Sequence, residues 1–253
     1  MGFGGIVMLK AFFEENPSAA VAFSGGVDSA WLLFCAAKYG RDITAYFVKT
    51  EFQPEFELDD AKRLAADVGA RLKIIYMSAL ADEKVRANPQ NRCYYCKTNV
   101  FSAIRRAAER DGYSLLLDGS NMDDDPAQRP GMKALRELNV RSPLREAGLH
   151  KSDIRRLSHE AGLFTWDKPS YSCLATRVPA DCEITGEILG KTERGEAALF
   201  GLGFTDFRLR WRNGAAKLEL PAEQLEAAIF QREKILAALG QDYPEITLDL
   251  KAR

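Results

Sequence analysis

The sequence predicts an α/β protein: a parallel sheet flanked by helices, followed by a small C-terminal α+β domain. Two observations carry that prediction. Through the first two thirds of the 253 residues, short apolar runs alternate with stretches of helical spacing, the pattern of strands covered by helices on both faces. After about Ser170 the order becomes helix, strand, strand, helix, strand. We therefore expect one domain over 1–170 and a second over 171–253, with the junction between Trp166 and Thr185.

The elements follow in order. "AAVAF" (19–23), "ITAYFV" (43–48), "LKIIYM" (72–77) and "SLLLDG" (114–119) read as buried strands, short and rich in apolar and β-branched residues. Between them, "DSAWLLFCAAKYG", "LDDAKRLAADVGA" and "KTNVFSAIRRAAERDGY" carry helical spacing and stop near glycine or at a charged stretch. In the second domain a helix is expected over 185–203, strands near "FRLRW" and "AKLEL", a helix over 221–240 and a strand at "ITLDL". No internal repeat or low-complexity linker interrupts the chain.

Composition excludes several classes of function. A 46% hydrophobic content can fill a core, and 35 basic against 36 acidic residues leave a net charge of −1, so no overall field draws the chain to nucleic acid or to an anionic membrane. An anionic ligand must be gripped locally. The first residues lack a basic flank, a long apolar core and a cleavage site, and no run reaches membrane-spanning length. Five cysteines, an odd number with no secretory leader, point to reduced thiols in the cytoplasm and not to a disulfide framework.

The first site signal is "AFSGGVDSAWLL", where a strand runs into Ser24, Gly25, Gly26, Val27, Asp28 and Ser29 and then a helix. Glycines let the backbone turn tightly and aim its N–H groups into one concavity, and the helix N-terminus adds its positive end. Such a loop holds a phosphate chain; the competing reading is a plain turn capped by Asp28 or Ser29. The lysine of a Walker loop is missing. The hexapeptide resembles the pyrophosphate loop of the PP-loop ATP pyrophosphatases (adenine nucleotide alpha hydrolase-like enzymes). That resemblance implies that Ser24, Gly25, Gly26 and Ser29 bind the pyrophosphate portion of ATP and that Asp28 helps place Mg2+.

The second signal is "RCYYCK", with Cys93 and Cys96, joined much later by Cys173 in "KPSYSCLATRVP". A closed zinc site needs four ligands, and His150 and His159 sit in a basic helical neighbourhood away from them. Three thiolates suit an iron–sulfur cube with one open iron, though a redox pair at Cys93 and Cys96 or persulfide-carrying thiols fit the same spacing. Cys35, inside the first helix after the loop, reads as core; Cys182 reads as a surface or turn position.

The succession "SGGVDS", "RCYYCK", "LDGSNMDD", "RPGMKALRELNVRSPLREAGLHKSDIR", "SYSCLATRVP" followed by "EIT", "LGFTDFRLRW" and "LELP" resembles the LarE family over nearly the whole chain. These are ATP-dependent sulfur transferases that make the nickel-pincer cofactor of lactate racemase. The resemblance implies a small-molecule substrate, pyridinium-3,5-biscarboxylic acid mononucleotide, whose carboxylates are adenylated and converted to thiocarboxylates, in a homo-oligomer. One branch of the family sacrifices a cysteine sulfur; the other carries sulfide, taken from a sulfide donor, on a 4Fe-4S cluster held by three cysteines. The position of the sacrificial cysteine falls on Ser172 here, not on Cys173, so Cys93, Cys96 and Cys173 are read as the iron ligands of the cluster branch.

By the same resemblance Lys97 lies near the anionic intermediate, Arg177 is suited to grip the substrate phosphate in a bidentate fork, and Arg208 and Arg210, alternating on a strand, face the nucleotide's phosphate; Lys97 reads otherwise as a solvated helix-start residue, and the two arginines as a salt-bridged sheet surface. Glu196 matches an acid linked to metal binding, and reads otherwise as one carboxylate on an exposed helix. Asp118 ends a strand, where α/β sheets bind ligands. The rival enzyme is a cluster-dependent tRNA thiolase; balanced charge and the lack of a basic, aromatic-laced platform speak against RNA.

Overall fold

The computed structural model describes residues 2–125 and 131–253. In chain order it contains α1 (Gly2–Glu15), β1 (Ser18–Ala22), α2 (Val27–Tyr39), β2 (Asp42–Lys49), α3 (Glu55–Asp67), β3 (Arg71–Tyr76), α4 (Glu83–Arg86), α5 (Arg92–Arg110), β4 (Leu116–Leu117), α6 (Gly131–Glu137), α7 (Pro143–Glu146) and α8 (Lys151–Glu160). A 3-10 turn (Leu174–Arg177) precedes α9 (Gly186–Gly201), β5 (Arg208–Arg212), β6 (Ala215–Glu219), α10 (Leu225–Phe230), α11 (Arg232–Leu239) and β7 (Ile246–Leu248). No described helix is long and apolar enough to cross a membrane.

The chain divides into two compact units, and not linearly. The first comprises Met1–Thr50, Glu55–Met77 and Asn91–Lys168; the second comprises Glu51–Pro54, Ser78–Gln90 and Pro169–Arg253.

In the first unit four strands pair in parallel in the order β3-β2-β1-β4. Residues alternate across a strand, and β1 shows what that does. Ala19, Val21 and Phe23 enter one core with Leu9 and Phe13 of α1, Leu32 and Leu33 of α2, Leu58 and Leu64 of α3 and Ile154 and Leu157 of α8. Ala20 and Ala22 enter a second core with Phe101 and Ile104 of α5 and Met132 and Leu135 of α6. Both faces are apolar because both are covered. The two cores, each from several helices and the same strands, hold the C-terminal ends of β1 and β4 side by side.

The second unit is smaller. β5 and β6 pair antiparallel and β6 and β7 parallel. Leu209 and Leu218 meet across the first pair and bury, with Leu199 of α9 and Leu239 of α11, in one core. Two short segments that precede residue 170 are stitched in by main-chain bonds: Leu174 N–H to the Phe52 carbonyl and Ile184 N–H to the Arg86 carbonyl, both 2.9 Å.

Several elements differ from expectation, among them three helices. The helix predicted to begin at Lys97 begins at Arg92, so Cys93 and Cys96 lie within its first turns. The helix over 221–240 is broken into a 3-10 turn, α10 and α11, with Gln231 non-helical between the last two. α1 has no counterpart among the expected elements, because its three glycines dilute helix propensity; Leu9 and Phe13, four apart on one face, are what anchor it.

Candidate active site

Four residues, 23–26, turn the chain from β1 into α2. Gly25 takes φ +74°, and a β-carbon there would stand 3.2 Å from the Glu57 carbonyl oxygen; only glycine enters that conformation at no cost. Ser29 closes the turn. Its hydroxyl donates to the Gly26 carbonyl at 3.1 Å, accepts from the Ser24 N–H at 3.3 Å and stands 3.1 Å from the Ser24 hydroxyl. Gly26 occupies the N-cap of α2 without a side-chain cap. The first amides of the helix therefore remain available to an anion, in the field of its positive end.

Asp28, in the first turn of α2, pairs through Oδ2 with the ammonium of Lys151 at the start of α8. Its Oδ1 is buried and has no hydrogen-bond partner. A buried carboxylate oxygen left without a donor is costly, and an oxygen of that kind suits a hard divalent cation such as Mg2+. The residues present thus fit the ion that the loop implies.

Beside the loop, β4 is followed directly by Asp118 and Gly119. A β-carbon on Gly119 would lie 2.9 Å from the Ser29 nitrogen, so the chain leaving β4 packs against the first turn of α2 with no side chain between them. From β1 the chain proceeds to β2 and β3 on one side and returns to β4 on the other, and crevices in open parallel sheets form at such a reversal. Asp118 is buried; the Ser120 and Ser142 hydroxyls donate to it, each at 2.5 Å. Burial pushes its carboxyl above the usual carboxylate range, against those two hydroxyls and the charge of Lys97. Lys97 runs its alkyl stem over Gly131, where a β-carbon would collide with Cδ at 2.4 Å. Of the segment 129–155, part of the resemblance described above, Arg129 and Pro130 lie outside the described residues.

Cys93 and Cys96 stand one helical turn apart on α5, Cys93 exposed and Cys96 half-buried. The Arg92 guanidinium lies 3.8 Å from the Cys93 sulfur. Cys35 is buried, and burial raises its thiol far above the ordinary value. Cys173 is the N-cap of the 3-10 turn in the second unit. Among the described residues no group of three or more His, Cys, Asp or Glu side chains is arranged to hold a metal ion.

In the second unit the charged residues read from the sequence gather around the backbone that carries Cys173. Arg177 is 0% exposed and Glu196 2%. Their bidentate pair is 2.7 Å from Nε to Oε1 and 3.0 Å from Nη2 to Oε2. The remaining nitrogen of Arg177 donates to the Ser172 carbonyl and to the Thr176 hydroxyl, both at 2.8 Å. Tyr171 lies 4.6 Å under the guanidinium and donates its hydroxyl to Glu196 at 2.5 Å. The two-pronged grip foreseen for a substrate phosphate is taken by a carboxylate, and Glu196 lies on the buried face of α9, not on an exposed one. Burial works against the Arg177 charge, but the bonds and charge of Glu196 outweigh it and hold the group above its ordinary value.

Arg208 and Arg210 extend the pattern. Arg208 donates to the Ser170 carbonyl at 2.9 Å, and Arg210 to the Thr176 carbonyl at 2.8 Å and to Glu219 at 2.8 Å. Burial, then repulsion from Arg177 and Arg253, pushes Arg208 down to about 10. Three guanidiniums thus hold the segment 170–176 through its carbonyl oxygens. Sequence reasoning missed this bracing, as it missed Lys151, because nothing in residue spacing links a strand or a distant helix start to one loop.

The loop geometry agrees with the comparisons to known proteins. The family of the queuosine biosynthesis protein QueC matches residues 18–92, which include the whole phosphate loop. A pyridinium-3,5-bisthiocarboxylic acid mononucleotide synthase of Lactiplantibacillus plantarum is 33% identical over 96% of this chain and 89% of its own length. The chain belongs to the LarE family. Accordingly it is an ATP-dependent sulfur transferase with the PP-loop fold. An uncharacterized protein of Synechocystis is 36% identical over 96% of this chain and 92% of its own. A more distant relative is the tRNA-specific 2-thiouridylase MnmA of Pseudothermotoga lettingae, 25% identical over 58% of this chain and 53% of its own. At 96% of this chain, the similarity to the Lactiplantibacillus synthase takes in residues of both units.

Proposed function

We propose that this LarE-family chain adenylates the carboxylates of pyridinium-3,5-biscarboxylic acid mononucleotide and converts them to thiocarboxylates. The observation that carries the reading is the near full-length similarity to the Lactiplantibacillus synthase, whose name is that of the product. The chemistry agrees. A carboxylate is a poor electrophile because its leaving group would be oxide. Attack of its oxygen on the α-phosphorus of ATP expels pyrophosphate, and sulfur addition to the resulting mixed anhydride then expels AMP.

Each residue has a part in that sequence. Ser24, Gly25, Gly26 and Ser29 hold the pyrophosphate portion through the backbone amides of the loop and of the first turn of α2 and through the two serine hydroxyls. Asp28 holds Mg2+, which when bound neutralises phosphate charge. Lys97 offers its ammonium to the anionic acyl phosphate. Arg177, Glu196, Arg208 and Arg210 set the path of the segment bearing Cys173. Activation belongs to the first unit, which carries the phosphate loop, and sulfur delivery draws on Cys93 and Cys96 of that unit and Cys173 of the second, in a cytoplasmic homo-oligomer.

The three-cysteine 4Fe-4S site belongs to the same proposal and rests on the sequence pattern. When bound, a cluster would supply an exchangeable sulfide. Anaerobic reconstitution with iron and sulfide should load the wild type and fail in Cys93→Ala, Cys96→Ala and Cys173→Ala. A wild type that binds no iron, or a cysteine converted to dehydroalanine after turnover, would return the reading to the sacrificial branch.

Substrate class is tested by pyrophosphate release. The free pyridinium nucleotide should stimulate it and tRNA should not. Stimulation by tRNA alone would replace this reading with the thiolase one, which the similarity to the 2-thiouridylase keeps in view.

A further inference from the structure

Gly131 is the first residue of α6 and is buried, at a helical position where alanine would be the stronger helix former. Local structure gives no reason for a glycine. The reason lies across the seam between α6 and α5: a β-carbon there would stand 2.4 Å from Lys97 Cδ, 3.0 Å from Cε and 3.2 Å from Cγ. We propose that Gly131 is a positioning residue, whose missing side chain forms a slot that holds the Lys97 stem and keeps its ammonium in the field of Asp118. The inference rests on the role given to Lys97 in activation and deepens it.

The walls of the slot are fixed. Lys97 and Phe101 lie one turn apart on one face of α5, and Phe101 and Ile104 share a core with Met132 and Leu135 of α6. Nearer the start of α5, the Tyr94 hydroxyl donates to Glu137 at 2.7 Å, and the Lys133 ammonium lies 5.3 Å from the centre of the Tyr94 ring. Held on α5 at two places, α6 cannot retreat from an added methyl group, and the flexible lysine must give way instead. The slot also has a direction. Ser120 Oγ stands 3.6 Å from Met132 Sδ and donates to Asp118, and the charge of Lys97 acts on that buried carboxyl. The next residue, Gly119, packs on the Ser29 nitrogen of the phosphate loop. A stem confined at Gly131 therefore carries its ammonium toward the strand end that borders the loop.

A double-mutant cycle on substrate-stimulated pyrophosphate release tests this. Gly131→Ala should lower kcat about 10-fold or more, the effect of misplacing a reacting group by roughly an ångström. KM for ATP should change less than about twofold, and the melting temperature should equal or exceed that of the wild type, since alanine favours the helix. In a Lys97→Met background the same substitution should change kcat less than about twofold, because no ammonium is left to misplace. Acetylation by acetic anhydride, followed by peptide mass spectrometry, reads the displacement without turnover: Lys97 should react faster in Gly131→Ala, where it is pushed out of the slot and away from Asp118. An equal loss in both backgrounds makes Gly131 structural, and no loss in the wild-type background, or an unchanged acetylation rate, means that the slot does not steer the lysine; each overturns the inference while the role of Lys97 stands. Undiminished pyrophosphate release by Lys97→Met overturns both.

Discussion

The phosphate loop and the arginine-braced segment around Cys173 are both dense in polar groups, yet they are built in opposite ways. In the loop the groups are left with capacity: the α2 amides have no side-chain cap and Asp28 Oδ1 has no partner. Around Cys173 the guanidiniums are occupied, with Arg177 held by Glu196, the Ser172 carbonyl and the Thr176 hydroxyl. Unfilled hydrogen-bonding capacity marks a place where a ligand completes the structure. Filled capacity marks a place where the structure is already complete and serves to position something else, here the backbone of Cys173.

The largest effect expected from this contrast is on stability. Arg177→Ala strands a buried Glu196 and should cost about 3–5 kcal/mol, as broken buried pairs do. Urea unfolding measures it. Arg177→Met combined with Glu196→Leu should recover most of that loss, since both desolvated charges then disappear. A cost under about 1 kcal/mol for Arg177→Ala would show that the pair is not what holds the segment.

Asp28→Ala should behave in the reverse manner. Pyrophosphate release falls by roughly 100-fold or more, the scale of losing a preorganised electrostatic group, while the melting temperature holds or rises because a buried unpartnered oxygen is removed. A large drop in melting temperature with activity retained would move Asp28 into the structural class.

A smaller effect is expected at Gly25. Replacing it by Ala places a β-carbon in the left-handed region and against the Glu57 carbonyl, for about 1–2 kcal/mol of stability. ATP affinity should fall as well, since the turn aims the amides. Unchanged affinity would show that the turn tolerates distortion.

The smallest is a pH effect at Asp118, whose carboxyl burial pushes up. Below the ordinary value of 3.8 both folded and unfolded states keep the proton. Above it the unfolded chain releases its proton first, so stability falls as pH rises, until the folded group also ionises and the slope ends. Asp118→Asn should remove that part of the slope, read from urea midpoints across the acid range. An identical slope in the variant would mean that the Ser120 and Ser142 hydroxyls already offset the burial.

Much of the first unit is legible in the residues because its signals are local. Strands covered on both faces read as continuous apolar runs, and 19–23, 43–48 and 72–77 coincide with β1, β2 and β3 within a residue or two. The run at 114–119 shrinks to a two-residue strand because pairing with β1 extends only over Leu116 and Leu117. Glycine and hydroxyl spacing in "SGGVDS" specifies a turn whose hydrogen bonds run between its own residues, so the hexapeptide alone is enough to locate that turn.

The sequence by itself determined the alternation of strands and helices, the phosphate loop and its missing lysine, since each depends on residues within one turn of each other. Only the tertiary structure decided that Lys151 meets Asp28, that Gly119 closes on Ser29 and that Arg177 faces Glu196. Those contacts join elements whose separation in sequence has no periodicity to reveal it. Burial decided the last of them: a charged side chain seen in sequence is equally able to grip a ligand or a neighbour, and its exposure, set by the packing of α9 and β5, chooses between the two.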